Sequence, residues 1–152
     1  MDTETTPARE DEPVIQFSVF ADNKVGRLNE LIQRFAHEDI HIIGLSQLDS
    51  TECTIMRFIP DYPEAARELL RRCGYAFSAC EILAVEIGSE ADLKYVTSAL
   101  VEAEINIHYL YPFIMRPQGR SALALNVEDN EFAATVLSAR QIKCLRRSDI
   151  AR

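Results

Sequence analysis

The chain carries the same run of elements twice. Residues 28–42 read LNELIQRFAHEDIHI and residues 93–107 read LKYVTSALVEAEINI, 65 positions further on. Leu28 aligns with Leu93, Leu31 with Val96, Phe35 with Leu100, Ala36 with Val101, and Ile40 and Ile42 with Ile105 and Ile107. Upstream, Phe17, Val19 and Ala21 align with Leu83, Val85 and Ile87 at a spacing of 66, so the second copy lacks one loop residue. Downstream, Ile59 and Asp61 align with Val127 and Asp129 at a spacing of 68. A repeat of this length constrains the fold more than any single motif, because both copies must bury an apolar face of the same shape. The 152 residues accommodate two modules of roughly 70 each.

Each copy can be read element by element. Val14–Ala21 alternates around Ile15, Phe17 and Val19, the pattern of a half-buried strand. Leu28, Leu31, Ile32, Phe35 and Ala36 share one face of a helix. His37 to Asp39 ends that helix, and Ile40–Leu48 is a second strand. Asp49 to Glu52 is turn chemistry before a strand over Thr54–Ile59. Pro60 and Asp61 open a second helix, with Glu64 in a capping arrangement and Gly74 as the stop. The second copy predicts strand Ile82–Ile87, helix Glu90–Ala103 with Ser89 and Asp92 as a capping box, and strand Ile105–Ile114. A turn at Arg116–Gly119, strand Ser121–Val127, helix Asn130–Ala139 and strand Ile142–Arg146 complete it.

The order β-α-β-β-α-β in both copies predicts an α+β protein. It is built of two tandem ferredoxin-like modules, residues 14–80 and 81–148, whose antiparallel sheets are covered by helices on one face. Residues 149–152 form a C-terminal tail. No Gly/Ser/Pro linker separates the copies; Ala76–Ile87 passes from the last strand of one into the first strand of the next, which predicts a rigid arrangement.

Charge and composition exclude several functions. The net charge is −8. This speaks against a nucleic-acid binder, whose affinity would rest on cations against phosphate. Half of that charge sits in residues 1–13, MDTETTPAREDEP, which offer almost nothing to bury and read as a disordered acidic leader. No apolar run approaches the roughly 18 residues of a membrane span, and no secretion signal is evident, so the protein is expected in the cytoplasm. Cys53, Cys73, Cys80 and Cys144 follow no pairing rhythm and are expected as reduced thiols. His37, His41 and His108 complete no zinc spacing with them, so no metal and no cofactor is expected. His41 and His108 also lack a nearby nucleophile, which leaves no catalytic residue and predicts a protein that is not an enzyme.

The loop Asp22-Asn23-Lys24-Val25-Gly26-Arg27-Leu28 resembles the D/N-K-P-G-x-L loop of ACT domains, small amino-acid-binding regulatory modules. Asp39-Ile40-His41-Ile42 is similar to their G-I-N-I segment, and the second copy keeps Ile105-Asn106-Ile107. The resemblance covers Val14 to Ser148 and implies a tandem ACT protein. It also implies a ligand site at Asp22 to Leu28, near a module or subunit interface, and a homodimer. In the family the glycine lets backbone amides approach the ligand at a helix start. Gly26 takes that place, Asn23 could supply an amide, and Asp22 could face an α-ammonium. Val25 replaces the family's proline. The second copy reads Gly88-Ser89-Glu90-Ala91-Asp92-Leu93, with Asp92 where the glycine would lie, so its loop is not expected to bind a carboxylate in the same way.

Other readings stay open at this point. The size and loop also resemble the regulatory small subunit of acetolactate synthase, which implies a biosynthetic enzyme as partner. The βαββαβ order is also the acylphosphatase topology, for which Lys24 to Arg27 is a faint phosphate cradle. Tyr109, Tyr111 and Phe113 share one strand face, which packs either on helices or as an aromatic wall against a ligand or another module. Arg140, Lys143, Arg146 and Arg147 form a basic C-terminal stretch, read as a charged edge or as a contact for an anion.

Overall fold

The computed structural model describes residues 12–151. Its elements run β1 (Val14–Asp22), α1 (Arg27–His37), β2 (Ile42–Asp49), β3 (Cys53–Pro60), α2 (Pro63–Arg72) and β4 (Ala76–Ile87), then α3 (Glu90–Glu102), β5 (Ile107–Pro112), β6 (Ser121–Val127), α4 (Asn130–Ala139), β7 (Cys144–Leu145) and α5 (Arg147–Ile150). The two βαββαβ modules are present, and every strand pairing is antiparallel.

Strand β4 is common to both sheets. Its first part, Ala76 to Ile82, pairs with β1; Leu83 to Ile87 pairs with β6, and Ala84 and Val85 also pair with β7. The first sheet therefore runs β2-β3-β1-β4 and the second β5-β6-β4-β7. Ile82, Leu83, Ala84 and Val85 are buried in succession, because both faces of the strand are covered at that point.

Alternation along the strands divides the apolar residues among three cores. Phe17, Val19, Met56 and Phe58 meet Leu31 and Phe35 of α1 and Leu69 and Leu70 of α2. Leu83, Val85 and Leu125 meet Val96 and Leu100 of α3 and Leu137 of α4. The third core joins the helix-free faces of the two sheets, through Val14, Ile59 and Ile82 on one side and Tyr111, Phe113 and Ala124 on the other. The edges meet as well. Gly44 of β2 bridges Phe113, and the Ile114 amide donates to the Ile43 carbonyl at 2.8 Å. The sheet thus curls into a closed ring of strands with helices outside. Gly44 is needed there, since a Cβ would lie 3.3 Å from Ile59 Cδ1 and 3.4 Å from the Tyr111 ring.

These contacts decide one open reading and correct several local expectations. Of the two alternatives for the face of Tyr109, Tyr111 and Phe113, the structure has it packed against the other module rather than on helices. Helix α2 begins at Pro63 with Tyr62 as its N-cap, two residues later than expected, and the buried Asp61 carboxylate accepts the His41 amide at 2.9 Å. Strand β7 is only Cys144–Leu145. In place of a tail, α5 places Ile150 in the inter-module core. Of the expected leader, only Glu12 and Pro13 lie among the described residues. The Glu12 carboxylate pairs with Arg147 and its carbonyl accepts the Arg147 amide, while Arg147 also pairs with Glu64 of α2. Much of the basic C-terminal stretch is likewise spent on internal pairs, Arg140 with Glu102 and Lys143 with Asp149. No helix among the described residues is long and apolar enough to cross a membrane.

Ile150 gives a test of this core. Ile150→Ala should lower the unfolding free energy by about 2–3 kcal/mol in a denaturant titration, a core-sized loss from the last turn of the chain. An unchanged midpoint would mean that α5 contributes nothing to the inter-module layer.

Candidate functional site

The loop between β1 and α1 is built by its own charges. Arg27 reaches back to Asp22 with two nitrogens, Nε and Nη2, the latter at 3.1 Å, and Lys24 Nζ lies 3.3 Å from the same carboxylate. Arg27, with Lys24 beside it, holds the Asp22 carboxyl at about 2, well below the usual carboxylate range. Asn23 points the other way. Its Nδ2 donates to Asp49 and to the Ser50 carbonyl, both at 3.3 Å, and ties the loop to the β2–β3 turn. Val25 is fully exposed, whereas Leu28 packs against the core of the first module.

Gly26 closes the loop. Its φ of +91° lies in the left-handed region, and nothing stands within 4 Å of the position a Cβ would take. It is the N-cap of α1, and no side chain accepts from the helix's first amides. That helix start is open and faces solvent, with Lys24 and Arg27 beside it, both paired with Asp22 and Arg27 also with Glu30 of the first turn.

The corresponding start of α3 is closed. The Asp92 carboxylate accepts the Gly88 amide at 2.7 Å and the Ser89 amide at 3.2 Å. Glu90 adds a second acidic group to the first turn. A hollow of about 570 Å³ lies beside this loop, against Phe113, Ile114 and Arg116. Another, of about 590 Å³, lies against α4 where β1 gives way to β7 along β4. Among the described residues no group of His, Cys, Asp or Glu could hold a metal ion.

A buried polar network joins the modules, and sequence reasoning did not single it out. The Gln16 side chain is fully buried in β1. Its Nε2 donates to Tyr109 Oη at 2.6 Å, and its Oε1 accepts from Tyr111 Oη at 2.5 Å. The tyrosine rings stack with centroids 6.5 Å apart. Burial pushes the Tyr111 hydroxyl far above its ordinary range, so it donates at any physiological pH. The available signal was one glutamine at a strand position that otherwise alternates apolar with small, but its partners lie 93 and 95 residues away.

Comparison with protein families matches residues 13–152 to a family described as an ACT domain pair. Among solved structures, the protein BT0572 from Bacteroides thetaiotaomicron superposes with a TM-score of 0.83 at 22% identity, covering 94% of this chain and 99% of that one. The ligand-free regulatory subunit of aspartate kinase from Thermus thermophilus superposes with a TM-score of 0.61 at 16% identity, covering 86% and 92%. The same subunit from Thermus flavus gives 0.62 at 16% identity, again over 86% and 92%. These likenesses show the fold. Comparison with curated proteins gives no match.

The charge pairing in the first loop sets a pH dependence. Because the folded Asp22 value lies below the unfolded one, the clamp is fully formed above about pH 4 and is lost as pH falls through about 2. Carboxyl carbon shifts should place the Asp22 midpoint near 2 in the native protein and return it toward the ordinary carboxylate range in Arg27→Gln. Coincident midpoints in the two proteins would show that Arg27 does not hold the carboxylate in solution.

Proposed function

This chain belongs to the ACT domain-pair family, and on that premise we propose that it is a non-catalytic regulatory protein that binds a small amino acid at Asp22 to Leu28. The observation that carries the reading is the uncapped start of α1 at Gly26, set against the capped start of α3. Amides at a helix start favour an anion, and with no side chain in that place a ligand carboxylate can supply the missing acceptor. Lys24 and Arg27 add positive charge on the approach, and Gly26 leaves room for it. The amino group of the ligand has Asp22 to face, in competition with the two cations already there. In the second loop Ser89, rather than Asp92, stands at the N-cap where the first has Gly26, and Glu90 and Asp92 in the first helical turn repel a carboxylate.

The reading extends to assembly. Ala76 to Ile82 carries β1 on one edge, while β6 on the other reaches only as far as Leu83. An open strand edge of this kind suits pairing with a second copy. We place the protein in the cytoplasm as a homodimer that reports amino-acid level to a biosynthetic enzyme. No turnover is assigned to it, and inertness toward an acyl phosphate is the simple check.

Isothermal titration of two variants separates the loops. Gly26→Asp adds a Cβ in a left-handed position and a like charge at the helix start. It should cost roughly 1 kcal/mol of stability or somewhat more while abolishing amino-acid binding. Asp92→Ala should lose about 1 kcal/mol of capping and keep its affinity. Equal loss in both would overturn the single-loop reading. Sedimentation at micromolar concentration should give a dimer; a monomer there removes the strand-edge assembly.

A further inference from the structure

Cross-strand neighbours share a face of a sheet, so pairing registers sort the inner face of the first sheet into rows. One row, holding Gly44, Ile59, Gln16 and Cys80, lies under the tyrosines of β5. The next row is Ser46, Arg57, Ser18 and Ser78, and beyond it run Leu48, Ile55, Phe20 and Ala76. The second module covers only the first of these. Tyr109 stands at the boundary, with the Arg57 guanidinium 3.9 Å from the centre of its ring. Past that point the sheet is open, and Phe20 and Leu48 are 42% and 52% exposed.

Arg57 is the odd member of this surface. Its Nε is buried and has no hydrogen-bond partner, and among the described residues no carboxylate pairs with it. A buried donor without an acceptor is costly, and a guanidinium fork matches a carboxylate. Ser46 and Ser18 flank it in register, Ser78 follows one strand further on, and an apolar shelf adjoins it on the side away from the tyrosines.

We infer that these two rows form a binding site, separate from the first loop, for a small carboxylate carrying an aliphatic chain. The carboxylate accepts from Arg57 and the serine hydroxyls, and the chain lies along Leu48, Ile55 and Phe20. Neither row holds an acidic side chain, and Asp22, the nearest acid in register one row further out, is already paired with Lys24 and Arg27, so the class is a plain aliphatic acid rather than an amino acid. Because Tyr109 holds Arg57 by its ring and Gln16 by its hydroxyl, an anion that draws Arg57 acts on the hydrogen bonds joining the modules.

Calorimetric titration of the full chain with sodium 4-methylpentanoate tests this, with 4-methylpentanamide and leucine as comparison ligands. The acid should bind the native protein and Gly26→Asp with equal affinity. The amide should bind at least tenfold more weakly, and Arg57→Met should lose at least tenfold in affinity for the acid. If Arg57→Met does not melt cooperatively, Arg57→Lys, which keeps the charge and loses the fork, should show a clear loss in its place. Absence of binding at millimolar acid, equal binding of acid and amide, or unchanged affinity in the folded Arg57 variant overturns the site. Loss of acid binding in Gly26→Asp also overturns it, by moving the acid to the first loop. Failure of a full panel of amino acids, leucine included, to bind would instead count against the first-loop reading and leave this site standing.

Discussion

Strand β4 fixes the relation between the two halves of this protein. A strand of twelve residues hydrogen-bonds β1 along its first part and β6 along its second, so the two sheets cannot be oriented independently. The right-handed twist that runs along any strand turns one sheet over the other. Their helix-free faces are brought together, and the apolar residues on them are buried by that contact alone. The cores under the helices could form in each module separately; the third core exists only because the strand is shared.

The duplication and the helical faces were legible in the sequence, because they depend on periods of 3.6 and 2 within one segment. The partner of each sheet's second face was not. Tyr109, Tyr111 and Phe113 alternate correctly for a strand, but alternation does not say whether a helix or another sheet lies opposite. Ile150 shows the same limit, since a single isoleucine in a charged stretch has no period to reveal it. Asp61 shows a different limit. Its position before a helix is readable, but only the fold brings the His41 amide within 2.9 Å of it. At the candidate site, the loop from Asp22 to Leu28 was recognisable from its residues, while the clamp of Arg27 on Asp22 required the turn itself. Arg57 carried no sequence signal, because the unpaired state of its Nε is a property of the assembled face.

The two helix starts show how one fold carries two different electrostatic environments. Both follow the first strand of a module, and both present amides toward solvent. One keeps glycine and neighbouring cations; the other inserts a carboxylate that satisfies the amides from within. A duplicated module can close its helix start with one acidic residue without losing the helix, because the acid supplies an internal acceptor.

The bridge between Gly44 and Phe113 closes the strands into a ring. A ring of this kind has no hinge. Modules joined in this way do not swing apart as two lobes on a flexible tether would. Any message between them must travel as a repacking of the shared interior, small in amplitude and stiff, and it would surface on the outer helices rather than in the gap between lobes.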